Sequence, residues 1–114
     1  MAAPHKSGLA SELPEWTALD GELARSVWGR LSENARSILT ILMEQPGTEH
    51  TGAEIAGRLQ LPHGKESVHS TLGNPGRFCK EAGRAQLWRY TYPTQGRVRY
   101  SMTPTVADLL RKCC

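Results

Sequence analysis

The sequence predicts a mainly α-helical domain closed by a two-stranded β-hairpin. Three observations lead there. Apolar residues recur at helical spacing from Trp16 to Ala82, the spacing switches to strict alternation after Gly83, and a helical pattern returns after Thr103-Pro104. A chain of 114 residues suits one domain. Its 39% hydrophobic and 22% charged residues fit a packed rather than a disordered chain.

Residues 1–14, with Pro4, Gly8 and Pro14 and no periodicity, read as a flexible N-terminal arm. The domain is expected over 15–112, with 113–114 as a tail. Leu19, Leu23, Val27 and Leu31 recur every four residues from Trp16 onward and predict an N-terminal accessory helix of about three turns. Ser32 can cap the next helix, whose apolar stripe is Ala35, Ile38, Leu39, Leu42 and Met43, with Pro46-Gly47 as its stop. Thr51 and Glu54 have the spacing of a capping box in front of Ile55, Ala56 and Leu59. Leu61-Pro62-His63-Gly64 reads as a turn, and a third helix is expected from Lys65. Its inward residues are Val68, Leu72, Pro75, Cys79 and Ala82, with a break at Gly73-Asn74-Pro75 and a stop at Gly83. Trp88, Tyr90 and Tyr92 then alternate with Leu87, Arg89 and Thr91, and a second alternating run covers 97–102 beyond Pro93-Thr94-Gln95-Gly96. Together they predict a single hairpin over about residues 86–102. Thr103-Pro104 supplies a cap and a first-turn Pro for a last helix, Thr105–Lys112, with Val106, Leu109 and Leu110 inward.

Charge is distributed unevenly. Residues 1–64 carry five Lys/Arg and eight Asp/Glu, whereas residues 65–114 carry nine and three. An acidic half joined to a basic half suggests that one face meets an anion, and for this kind of protein nucleic acid leads. Ten Arg against four Lys would suit a bacterium of high GC content. No apolar run approaches the roughly 20 residues of a membrane span, and no signal pattern opens the chain, so a cytoplasmic, nucleoid-associated protein is expected. Cys79, Cys113 and Cys114 form no disulfide framework. His63, His69 and Cys79 match no common zinc spacing. With no Gly-rich phosphate loop, paired-carboxylate signature or nucleophile elbow, neither an enzyme nor a cofactor is expected.

The element order, with a short helix, a turn, a second helix and then a basic hairpin, is that of a winged helix-turn-helix domain. Thr51-Gly52-Ala53-Glu54-Ile55-Ala56-Gly57-Arg58-Leu59 resembles the first helix of the helix-turn-helix, and Lys65-Glu66-Ser67-Val68-His69-Ser70-Thr71-Leu72 resembles its recognition helix. The run from Gly96 to Pro104 resembles the wing and exit of MarR-type repressors, with Gly96-Arg97 where that family usually carries an Asp-Arg pair. The resemblance covers about residues 32–112 and implies a sequence-specific double-stranded DNA-binding protein that regulates transcription.

The residues themselves supply the contacts this would need. With Val68 and Leu72 inward, Lys65, Glu66, Ser67, His69 and Ser70 face out to enter the major groove, and Asn74, Arg77, Lys80 and Arg84 continue that side. Arg89, Arg97 and Arg99 share one face of the hairpin, opposite Trp88, Tyr90, Val98 and Tyr100, and suit the minor groove or the phosphate backbone. Regulators of this type are often two-fold dimers. The helix with Trp16 and Trp28, or the last helix, is the candidate interface for a homodimer. A protein-interaction module, and a DNA-binding role in replication or at chromosome ends, are alternatives on the same fold.

Overall fold

A computed structural model describes residues 13–91 and 98–113. In these residues six helices and three short strands follow in the order α1 (Gly21–Arg30), α2 (Glu33–Glu44), β1 (His50–Thr51), α3 (Gly52–Leu59), α4 (Lys65–Thr71), α5 (Gly73–Glu81), β2 (Arg89–Thr91), β3 (Arg99–Ser101) and α6 (Pro104–Arg111). The protein is thus mainly helical, with a small antiparallel sheet. Residues 1–12 of the expected arm and residues 92–97 at the expected hairpin tip lie outside the described residues.

α1 starts later than the periodicity predicts. Leu19, read as an inward residue, is 94% exposed. The cause is a local turn. The Thr17 N–H donates to Asp20 Oδ2 at 2.9 Å, and the Asp20 N–H donates to the Thr17 carbonyl at 3.0 Å. Such side-chain bonds offer the backbone an alternative to the helix. Trp16 is buried instead, and its Nε1 donates to the Ala85 carbonyl at 2.7 Å. Pro14, the last residue of the expected arm, accepts a hydrogen bond from the Ala85 N–H.

α2, α3 and α6 start at side-chain caps. Ser32 Oγ accepts from the Ala35 N–H, starting α2, which buries Ile38, Leu39 and Leu42 completely. Thr51 and Glu54 form a reciprocal capping box on α3. Thr103 caps α6, with Pro104 in its first turn. There, Val106, Ala107, Leu109 and Leu110 are buried. Arg111 donates to the Met43 carbonyl at 2.7 Å, satisfying one of the carbonyls that the last turn of α2 leaves without a helical partner.

Between α4 and α5 the helix breaks at Leu72, and Pro75 falls in the first turn of α5. There its missing N–H costs nothing, because first-turn N–H groups have no intrahelical partner. Gly83, at φ +77°, ends the segment in a conformation that favours glycine.

The sheet corrects the expectation of two strands. Its order is β1-β3-β2, both pairs antiparallel, with Thr51 opposite Arg99 and Tyr90 opposite Tyr100. β1 is two residues long, too short to show an alternating pattern. Its pairing follows from the extended backbone of Thr51 as helix cap, φ −77° and ψ 158°. The expected alternation is seen over Arg89–Thr91 and Arg99–Ser101, where Tyr90 and Tyr100 share one side, but it fails at Leu87, which was expected beside Arg89 and is buried together with Trp88. Tyr90 and Tyr100 pack on the inner face with ring centroids 5.5 Å apart and planes tilted by 56°, and Trp88 meets Tyr90 edge-on. Trp28 is buried in the chain's own core, as is Trp16, so the aromatics named for a dimer interface are already covered.

Two glycines of α3 give a paired test of its packing. A Cβ at Gly52 would stand 2.9 Å from the Lys65 Cβ and 3.3 Å from its Cα, whereas a Cβ at Gly57 meets nothing within 4 Å. Gly52→Ala should therefore destabilise by about 1–3 kcal/mol through overpacking, and Gly57→Ala should stabilise by about 0.5–1 kcal/mol. Urea unfolding of both variants reads the difference, and equal midpoints would show that α3 and α4 do not meet this closely.

Candidate nucleic-acid interface

α4 is placed by its inward residues and by the turn before it. Val68 and Leu72 are buried, which leaves Lys65, Glu66, His69 and Ser70 exposed. Ser67 is half-buried, and its hydroxyl accepts from the His63 N–H at 3.1 Å. This residue, expected to face outward, closes the turn instead. Because Gly52 has no side chain, the start of α3 lies directly against the start of α4. The Thr51–Arg99 pairing then brings β3 beside both helices.

Three hollows result, and they divide the expected contact residues among them. The first, about 450 Å³, lies between α3, α4 and β3, where Lys65, Glu66 and His69 face Thr51, Val98 and Tyr100. The second, about 350 Å³, gathers His69, Arg77, Lys80 and Arg84, with Gln86 and Tyr90 on the far wall. His69 lines both and stands on the ridge between them. The third, about 290 Å³, takes Ser70 and Asn74, together with Arg30, Asn34 and Phe78. Ser70 is therefore separated from its neighbour His69, as one residue turns a helix by about 100°. Thr51, Gly52 and Gln86 were not expected to line a hollow. Thr51 and Gly52 were legible as the start of α3, but nothing local shows that this start faces α4 and β3.

The cations differ in what they already hold. Arg84 forks onto Asp20, with Nε to Oδ2 and Nη2 to Oδ1 both at 3.0 Å. The hydrogen bonds from Arg84, and next the one from the Thr17 N–H, hold the Asp20 carboxyl down at about 2. Arg30 reaches Glu81 at 2.9 Å and lies over the Phe78 ring, while Arg77 is 3.9 Å from the same carboxylate. Arg89 is 3.6 Å from Glu15, with both side chains exposed. Such exposed pairs are weak and exchangeable. Lys65, Lys80 and Arg99 make no ion pair among the described residues. Arg99 is half-buried in β3 and contributes to the field that, after the Thr51 N–H bond, lowers the Glu54 carboxyl. Arg97 lies outside the described residues. Cys79 is a core residue, and burial pushes its thiol up to about 12.

A family profile matches residues 21–114, from the start of α1 past the end of α6. The chain belongs to a family of unknown function, DUF6416. The matched stretch contains every one of the residues expected to contact DNA, whereas Trp16 and Asp20 precede it. No curated protein and no solved structure matches the chain.

The Asp20–Arg84 fork predicts a defined acid response. The Asp20 pKa is depressed from 3.8 to about 2 in the folded chain. Its contribution to stability is therefore full above 3.8 and is lost as pH falls through about 2. Asp20→Asn should be less stable than the parent chain at neutral pH, and the gap should close as pH falls through that window. Thermal melts of the two chains across the acid range check this, and a gap of constant size would exclude the fork as its source.

Proposed function

We propose that this chain is a winged helix-turn-helix protein that binds double-stranded DNA sequence-specifically and regulates transcription. The observation that carries the reading is the first hollow. There the exposed start of α4 and the inner strand of the sheet present Lys65, Glu66, His69 and Val98 to one space. An α-helix with its side chains is about 10–12 Å across, and the major groove is about 12 Å wide. In this reading α4 enters the groove, and β2 and β3 flank it as the wing.

Chemistry assigns the roles. Glu66 can accept from the amino group of a cytosine, and His69 can donate or accept at a base edge. Lys65 and Arg99, neither held in an ion pair among the described residues, are available to phosphates. Arg89 can exchange its exposed partner Glu15 for a phosphate, and Arg97 takes the wing-tip role that the sequence pattern gives it. Ser67 supports the turn. Ser70 and Asn74 open on a different hollow and are given no base contact.

A gel-shift titration with random duplex and with duplex selected from a random library tests the reading. Affinity should fall steeply with salt, by about 0.9 in log–log slope for each phosphate neutralised. His69→Ala should lose about 1–3 kcal/mol on the selected site and little on random DNA. Ser70→Ala, one residue away, should keep the parent preference. Circular dichroism confirms that each variant folds. Affinity indifferent to salt would favour a protein-interaction module, and an unchanged selected-to-random ratio in His69→Ala would remove α4 as the reader of sequence.

A further inference from the structure

The second hollow differs from the other two in charge. Arg77, Lys80 and Arg84 line it from α5 and the loop that follows, and His69 adds a ring nitrogen pair from α4. No carboxylate is among its lining residues. The first hollow is lined by Glu66 as well as Lys65, so the Lys65 cation stands beside a carboxylate. The third has one cation, Arg30, already 2.9 Å from Glu81.

Within the second hollow the cations are graded. Arg84 is held in place, with Nε and Nη2 donating to Asp20 and Nη1 to the Gly83 carbonyl, so it sets the charge and shape of the hollow more than it offers an open donor. Glu81 is shared between Arg30 and Arg77, and Lys80 has no ion-pair partner among the described residues. The near wall is open at Gly73, where a Cβ would meet nothing within 4 Å, whereas at Gly76, one turn on, the Gln86 amide and the Trp88 ring lie 3.5 and 3.7 Å from that position. The far wall offers the Gln86 amide and the half-exposed Tyr90 ring. A basic hollow open at Gly73 admits a small tetrahedral anion and disfavours cations, with Leu13 and Leu72 as its apolar lining.

We infer that the hollow bounded by His69, Gly73, Gly76, Lys80 and Arg84 is a phosphate seat. It takes one phosphodiester of the DNA backbone beside the groove that α4 enters, and so fixes the register of α4 on the duplex. This inference rests on the DNA-binding reading. A free phosphate or a phosphorylated small molecule offers the same chemistry, and the experiment separates the two sources.

Two variants of the full chain test it. Lys80→Ala removes the cation of this hollow that has no ion pair among the described residues. Gly73→Asp puts a carboxylate on the near wall, in open space and in the first turn of α5, where a negative charge favours the helix. It should therefore fold at least as well as the parent while repelling phosphate. Gly73→Ala is the neutral control. Duplex affinity should fall about tenfold in Lys80→Ala and in Gly73→Asp and stay at the parent value in Gly73→Ala. The salt slope of Lys80→Ala should flatten by about 0.9.

Inorganic phosphate is titrated in parallel, with the amide resonances of Gly73 and Gly76 followed by NMR. Duplex binding that all three variants leave unchanged overturns the seat and leaves the DNA reading standing. Failure of the parent chain to bind duplex, with the Gly73 and Gly76 signals moving with phosphate, overturns the DNA reading and assigns the seat to a free phosphate ligand. Neither duplex binding nor a phosphate response overturns both.

Discussion

One dipeptide, Thr51-Gly52, holds the arrangement together. Thr51 has extended backbone angles, so it is at once the last residue of β1 and the cap of α3. Its hydroxyl accepts from the Glu54 N–H, and the Glu54 carboxylate accepts from the Thr51 N–H, so the junction cannot slide without losing both. Through β1 it is paired with Arg99 on β3. The next residue, Gly52, is where α3 touches Lys65 at the start of α4. Sheet, first helix and second helix thus meet within two residues, and the first hollow is the space they enclose.

The charge pattern has a similar economy. Much of the basic excess of the second half is occupied locally. Arg84 belongs to Asp20, Arg77 shares Glu81 with Arg30, and Arg111 is spent on the end of α2 and on Asp108. The Arg84–Asp20, Arg30–Glu81 and Arg111–Met43 contacts join the two halves of the chain, while Arg77–Glu81 and Arg111–Asp108 are paired within the basic half, so part of the asymmetry seen along the sequence is internal to the fold. What is left of residues 65–114 without an ion pair among the described residues is Lys65, Lys80, Arg99 and Lys112, from α4, α5, β3 and the end of α6. Lys65 and Lys80 line adjoining hollows, joined at the ridge where His69 stands. Net charge therefore says less about the proposed DNA face than the short list of cations that folding does not use.

Reading by period alone misplaced Leu19. A spacing of four residues continues smoothly from Leu19 through Leu31, but Thr17 and Asp20 close a turn there that competes successfully with a helical start. Ser67, likewise outward by spacing, is used by the turn at His63. In both cases a short polar side chain found a backbone partner a few residues away, and that partner overrode the face to which periodicity assigned the position.

The sequence by itself determined the helices after α1, the caps at Ser32, Thr51 and Thr103, the break before Pro75, the stop at Gly83 and the alternation within Arg89–Thr91 and Arg99–Ser101. All of these arise from hydrogen bonds and side-chain spacing within a few residues, where the chain's own chemistry is decisive. Only the tertiary structure decided that a two-residue strand would join the sheet, that Trp16 would reach Ala85 across 69 residues, and that Arg84 would be claimed by Asp20 across 64. It also decided which outward residues share a hollow, setting His69 with Lys80 and Ser70 with Arg30. Those outcomes depend on how helices pack around buried Ile38, Leu39 and Leu42, and core packing joins residues whose separation in sequence carries no local signal.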